Sequence, residues 1–122
     1  MARVLVIDDD EEHRALIKAM LVGVGHRVEE ASDGAAGLKL FANEAPHLVL
    51  TDINMPGLDG HAVISALRVV NPKVPIIAVS GGSSIAKDEL LLKASQLGAV
   101  EVIMKPVAFE QLVGAVNRAL QP

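Results

Sequence analysis

Five short apolar runs punctuate this chain, and stretches with helical spacing separate them. The runs are Val4-Leu5-Val6-Ile7, His26 to Ala31, Leu48-Val49-Leu50, Ile76-Ile77-Ala78-Val79 and Val100 to Met104. The first, third and fourth are almost uniformly apolar, as expected of strands covered on both faces. Between them, Leu16, Ile17, Met20, Leu21 and Val24 recur at helical intervals, as do Phe109, Leu112, Val113, Val116 and Leu120. Asp33–Asn43, Leu58–Val70 and Ser84–Leu97 read as three further helices, and Gly25 and Gly98 stand where helices stop. Strict β-α alternation implies an α/β fold with a parallel sheet, right-handed crossovers and helices on both faces. For five strands the expected order is 2-1-3-4-5, a (βα)5 flavodoxin-like three-layer sandwich.

That order directs attention to the carboxyl ends of the strands, because ligands of such sheets bind there, near the switch point between strands 1 and 3. Strand 1 ends in Asp8-Asp9-Asp10, followed by Glu11 and Glu12. Asp10, Glu11 and Glu12 read as a helix start, where acids cap the first turn and favour the macrodipole. Asp8 and Asp9 fall where the buried strand opens. Two carboxylates side by side raise each other's pKa unless a cation lies between them. Strand 3 ends in Thr51-Asp52, then Ile53-Asn54-Met55-Pro56-Gly57. A turn accounts for the Pro and Gly but not for Asp52. Neighbouring strands lie about 4.8 Å apart, so Asp52 can share an ion with Asp8 and Asp9. Mg²⁺ suits such a set, taking a few protein oxygens and completing its shell with water and phosphate. A carboxylate is also a competent nucleophile toward phosphorus.

Strand 4 ends in Ser80-Gly81-Gly82-Ser83-Ser84 and strand 5 in Met104-Lys105-Pro106. Ser80 can donate a hydrogen bond to a phosphoryl oxygen, whereas Ser83 and Ser84 read as ordinary loop. Strand 5 lies roughly 10 Å from strand 3, a gap that a long lysine and a phosphoryl group can close together. A cation so aimed stabilises charge on a transferring phosphoryl group. The four histidines, His13, His26, His47 and His61, sit on different elements without ligand-like pairing, and read as surface or packing residues.

Carried by Val6-Ile7-Asp8-Asp9, Asp52-Ile53-Asn54-Met55-Pro56-Gly57-Leu58-Asp59-Gly60, Ser80-Gly81 and Lys105-Pro106, the sequence resembles the receiver domains of bacterial response regulators over essentially its whole length. Ala31-Ser32-Asp33-Gly34 adds to the likeness. The resemblance implies that Asp52 is the phosphoacceptor, that Asp8 and Asp9 organise Mg²⁺ with Asp52, and that Asn54 lends the metal a backbone carbonyl. It implies that Ser80 and Lys105 engage the phosphoryl oxygens, and that the Lys105-Pro106 bond is cis, a geometry largely confined to proline. The donor it implies is a histidine kinase or a histidine phosphotransfer protein. The output is a switched protein-interaction surface near the fourth expected helix, Ser84–Leu97, and strand 5. Two departures bear on that switch. Val102 stands where most receivers carry an aromatic residue, and the Gly-rich stretch after Ser80 is longer than usual; Val107 replaces a common Phe.

Composition narrows the alternatives. With 122 residues, about half of them apolar, the chain can bury one core, and 1–122 is expected to form one domain. It has no cysteine, a net charge of −4, no Trp or Tyr and two Phe. The basic stripe and aromatic platforms of nucleic-acid binders are missing, which argues against direct DNA or RNA contact. No apolar run approaches the roughly 20 residues that span a bilayer, and the start fits no signal peptide, so the expected location is cytoplasmic. Asp8-Asp9-Asp10 also contains the D-x-D of haloacid-dehalogenase-type phosphatases, with Asp8 as nucleophile, but 122 residues leave no room for their usual cap. A receiver-like interaction module that is never phosphorylated is the other alternative. Flavin binding fails, because acids stand where its phosphate loop would follow strand 1.

Overall fold

The computed structural model describes residues 1–55, 57, 60–81, 92, 95, 96 and 98–121. Five parallel strands, β1 (Arg3–Ile7), β2 (Arg27–Ala31), β3 (Leu48–Asp52), β4 (Ile76–Ser80) and β5 (Glu101–Met104), form one sheet in the order β2-β1-β3-β4-β5. Among the described residues four helices accompany them: α1 (Glu11–Gly23), α2 (Gly34–Asn43), α3 (Gly60–Val70) and the C-terminal helix (Phe109–Leu120). The expected fold class and strand order are those observed.

The two-residue period of the strands distributes the core between the sheet's faces. Val4, Val6, Leu48, Leu50, Ile77 and Val79 point to the face covered by α1 and the C-terminal helix. Leu5, Ile7, Val49, Ile76 and Ala78 point to the face covered by α2 and α3. Every residue of the central strands β3 and β4 is buried, whereas the edge strands β2 and β5 are largely half-buried. Each fully buried Leu or Ile contributes roughly 1.5–3 kcal/mol, so these central runs hold the two layers together.

The apolar stripes on the outer helices are narrower than expected. Ile17 and Leu21 of α1 and Leu112 and Val116 of the C-terminal helix are buried, but Leu16, Val24 and Phe109 are exposed. Those three lie at the margins or ends of their helices, beyond the reach of the sheet.

Local signals behave as their chemistry requires. Asp10 caps α1 by accepting the His13 N–H at 3.1 Å, and Asp33 caps α2 by accepting that of Ala36 at 2.7 Å. Gly25 ends the turn after α1 with φ +96, a conformation costly for other residues. The expected helix over Ser84–Leu97, the Gly-rich stretch before it and the expected α3 start at Leu58 fall largely outside the described residues; α3 is described from Gly60. Val102 is half-buried and packs on the α2–α3 side of the core.

Candidate functional site

The parallel register brings the expected residues to one rim. Ile7 of β1 lies opposite Thr51 of β3, so Asp8, the next residue, stands beside Asp52. Asp52 pairs with Val79, and Ser80 with Met104, which places Lys105 one step beyond β5. Lys105 is anchored there by its own N–H, which donates to the Ser80 carbonyl at 2.7 Å. The Lys105-Pro106 bond is cis.

One oxygen each from Asp8, Asp9 and Asp52 lies within 4.8 Å of the others. Asp8 and Asp52 are 1% and 3% exposed, whereas Asp9 is open to solvent. Lys105 Nζ reaches Asp52 Oδ2 at 3.0 Å and Asp8 Oδ2 at 3.4 Å. The gap that a lysine and a phosphoryl group were expected to close together is already spanned by the lysine alone. Asp52 Oδ1 accepts the Asn54 backbone N–H at 3.1 Å, and the Asn54 residue itself is exposed. Ser80 is buried, and its hydroxyl donates to the Gly81 carbonyl at 3.3 Å. Close backbone packing ties Gly60, where α3 begins, to the end of β3. Gly60 N–H donates to Ile53 O at 2.9 Å, and a Cβ on Gly60 would collide with the Asp52 carbonyl and Ile53 Cα.

The two buried carboxylates differ electrostatically. Burial pushes Asp52 up, and it remains raised because the hydrogen bond and charge of Lys105 only partly offset that cost while the Asp8 charge adds to it. Burial also pushes Asp8 up, but hydrogen bonds from His13 and the Asp10 backbone, with the Lys105 charge, leave it below its ordinary value. Asp8 has gathered more donors than Asp52, and with the Lys105 cation they outweigh its burial. Lys105 loses through burial and gains more from Asp52 and Asp8, ending above its ordinary value.

His13 corrects the reading of the histidines as packing or surface residues. Its Nδ1 lies 2.8 Å from Asp8 Oδ2, and only 11% of its side chain is exposed. Arg14, the next residue, donates from Nη1 to the Asp8 carbonyl at 2.7 Å. The signal was present in the sequence: a helix capped at Asp10 begins so close to the strand tip that its first turn must lie over Asp8. Two of the other histidines do not join this rim. His26 and His47 accept the N–H groups of Ala2 and Arg3 at the opposite end of the sheet.

Chemically, this rim offers hard oxygen donors around one point, with an exposed carboxylate on its open side where water can complete a shell. Such a donor set fits a small divalent cation. Asp8, Asp9 and Asp52 are the residues that could hold it. An ionised carboxylate fixed beside a lysine also has the form of a nucleophile set against a cation that neutralises incoming negative charge. Among the described residues no helix is long and apolar enough to cross a membrane.

Comparison with known proteins agrees with this geometry. A family model described as the response regulator receiver domain matches residues 4–117. The transcriptional regulatory protein ZraR of Escherichia coli K12 is 32% identical over 117 residues, covering 96% of this chain and 26% of that protein. The transcriptional regulatory protein PrrA of Mycobacterium tuberculosis is 37% identical over 119 residues, covering 98% and 50%. The chain therefore spans half or less of the length of these relatives. The crystal structure of the receiver domain of NtrX from Brucella abortus superposes with a TM-score of 0.89 at 33% identity, covering 96% of this chain and 97% of that one. Sheet order, acidic rim and matched span agree: this chain belongs to the response regulator receiver domains of two-component systems.

Proposed function

We propose that residues 1–122 act as one phosphoacceptor receiver in the cytoplasm, with Asp52 taking a phosphoryl group from a histidine kinase or histidine phosphotransfer protein. An Asp52 carboxylate oxygen attacks the phosphorus of a phosphohistidine. A P–O bond forms as the P–N bond breaks, and the departing imidazole takes up a proton. Hydrolysis reverses the loading: water attacks phosphorus, the P–O bond to Asp52 breaks, and phosphate leaves while the carboxylate is restored. The chain thus promotes its own modification and its loss, and is not a conventional enzyme.

In this reading Asp8, Asp9, Asp52 and the Asn54 backbone carbonyl hold Mg²⁺, which when bound neutralises charge on the phosphoryl oxygens. Lys105 gives up its contact with the free carboxylate and takes a phosphoryl oxygen instead. Ser80 turns from the Gly81 carbonyl to donate to another. The signal leaves by protein contact near β5 and the segment before it; a net charge of −4 disfavours direct nucleic-acid contact. What supports the reading most is the single contact of Lys105 Nζ with Asp52 Oδ2 at 3.0 Å, beside two further carboxylates. Incubation with acetyl phosphate and Mg²⁺, followed by intact mass, tests it. The parent chain is expected to gain one phosphoryl group and Asp52→Asn none; equal gain in both would refute the assignment.

A further inference from the structure

The ring of His13 makes one polar contact among those described, and it is with Asp8. Nδ1 lies 2.8 Å from Asp8 Oδ2, while Nε2 is buried without a hydrogen-bond partner. An ionised carboxylate can only accept, so at 2.8 Å the hydrogen between them lies on Nδ1 and His13 donates. Asp8 is gripped elsewhere as well. Its Oδ1 accepts the Asp10 N–H at 2.9 Å, and its carbonyl accepts Arg14 Nη1 at 2.7 Å. Arg14 is held in turn by Glu30 of β2, with Nε 3.3 Å from Glu30 Oε1. The first turns of α1 therefore fix both the main chain and the side chain of one acid.

We infer that His13 is a positioning residue: it donates to Asp8 Oδ2 so that this carboxylate meets the divalent cation already oriented. The inference rests on the proposed role of Asp8 as a metal ligand and goes beyond it in assigning a residue that orients the ligand. A carboxylate oxygen has two lone pairs, so the bond to His13 leaves one for a cation. Oxygen ligands work best when a neighbouring donor sets their orientation, and losing such a donor commonly weakens metal affinity about 10- to 100-fold. Packing alone would place an apolar side chain at this half-buried position; it gives no reason to aim a ring nitrogen at a buried acid.

Magnesium chloride titrations followed by backbone amide chemical shifts test this on the whole chain. His13→Met and His13→Leu keep the volume and remove the donor; His13→Asn can place an amide N–H where Nδ1–H stands. Circular dichroism in EDTA checks that each variant folds. The apolar variants are expected to raise the Mg²⁺ dissociation constant about tenfold. His13→Asn is expected to recover most of the affinity. The Mg²⁺ concentration for half-maximal labelling by acetyl phosphate should move by the same factors. Parental affinity in the apolar variants, or equal weakness in His13→Asn, overturns the role of His13 and leaves the acidic site standing. A parent chain without Mg²⁺-dependent shifts overturns the metal site and this inference together.

Discussion

The two ends of the sheet each carry an ion pair at the same distance. At the carboxyl rim Lys105 Nζ is 3.0 Å from Asp52 Oδ2; at the opposite rim Arg3 Nη1 is 3.0 Å from Glu44 Oε1. Burial separates them, since the carboxylate side chains are 3% and 69% exposed respectively. At the far rim water solvates the Glu44 carboxylate whether or not it meets Arg3, so losing that contact leaves no buried acid unpaired. At the carboxyl rim two acids have been withdrawn from water around one lysine, an arrangement that is costly in the resting chain. Distance describes a contact. Burial decides what it costs.

The comparison breaks most readily at Lys105. Lys105→Met leaves Asp8 and Asp52 buried without their shared cation, and should cost on the order of 3 kcal/mol at neutral pH in EDTA, by urea unfolding followed by circular dichroism. The loss should shrink at acid pH, where the carboxylates become neutral. A cost no larger than that of Glu44→Gln would mean that the two rims do not differ.

Glycines sharpen the contrast next. Gly60 has backbone of residues 52 and 53 where a Cβ would go, whereas Gly23, at the opposite rim, has nothing within 4 Å. Gly60→Ala should destabilise by about 2 kcal/mol through overpacking against backbone that cannot move aside. Gly23→Ala, in a helix with open space, should stabilise by about 0.5–1 kcal/mol. Thermal melts of the two variants would show shifts of opposite sign.

A subtler difference lies in pH. Because the folded pKa of Asp52 is raised, the unfolded chain releases this proton first, and its contribution to stability is lost as pH rises from about 4 through the folded value. Asp8 is lowered and acts in the opposite sense, with its contribution lost as pH falls through its folded value. In EDTA the stability of Asp52→Asn relative to the parent should therefore improve with rising pH. A difference that stays flat across that range would contradict the electrostatic account. Glu44→Gln is the smallest effect, below about 1 kcal/mol, and should shrink in high salt because the Glu44 carboxylate is exposed.

The sheet was readable in the sequence because runs such as Leu48-Val49-Leu50 are apolar on both faces, which only a doubly covered strand requires. Asp8, Asp52, Ser80 and Lys105 were readable as a set because parallel topology places every strand tip at one rim. What sequence could not supply were the angles at which side chains leave the backbone. His13 turns back over Asp8 because Asp10 caps the helix directly against the strand tip. Lys105 reaches two acids because the Ser80 carbonyl holds its main chain. Phe109 looked like part of a buried stripe, yet the helix begins there and its first turn overhangs the sheet.

The central claim is that one phosphate can sit on Asp52 within reach of Ser80, Lys105 and a cation held by the acids. A crystal structure of the chain with Mg²⁺ and beryllofluoride tests it most directly. The account predicts beryllium on an Asp52 oxygen, Lys105 Nζ and Ser80 Oγ on its fluorines, and the cation on Asp8 and Asp9. Beryllofluoride bound elsewhere, or Ser80 and Lys105 left on Gly81 and the acids, would contradict it.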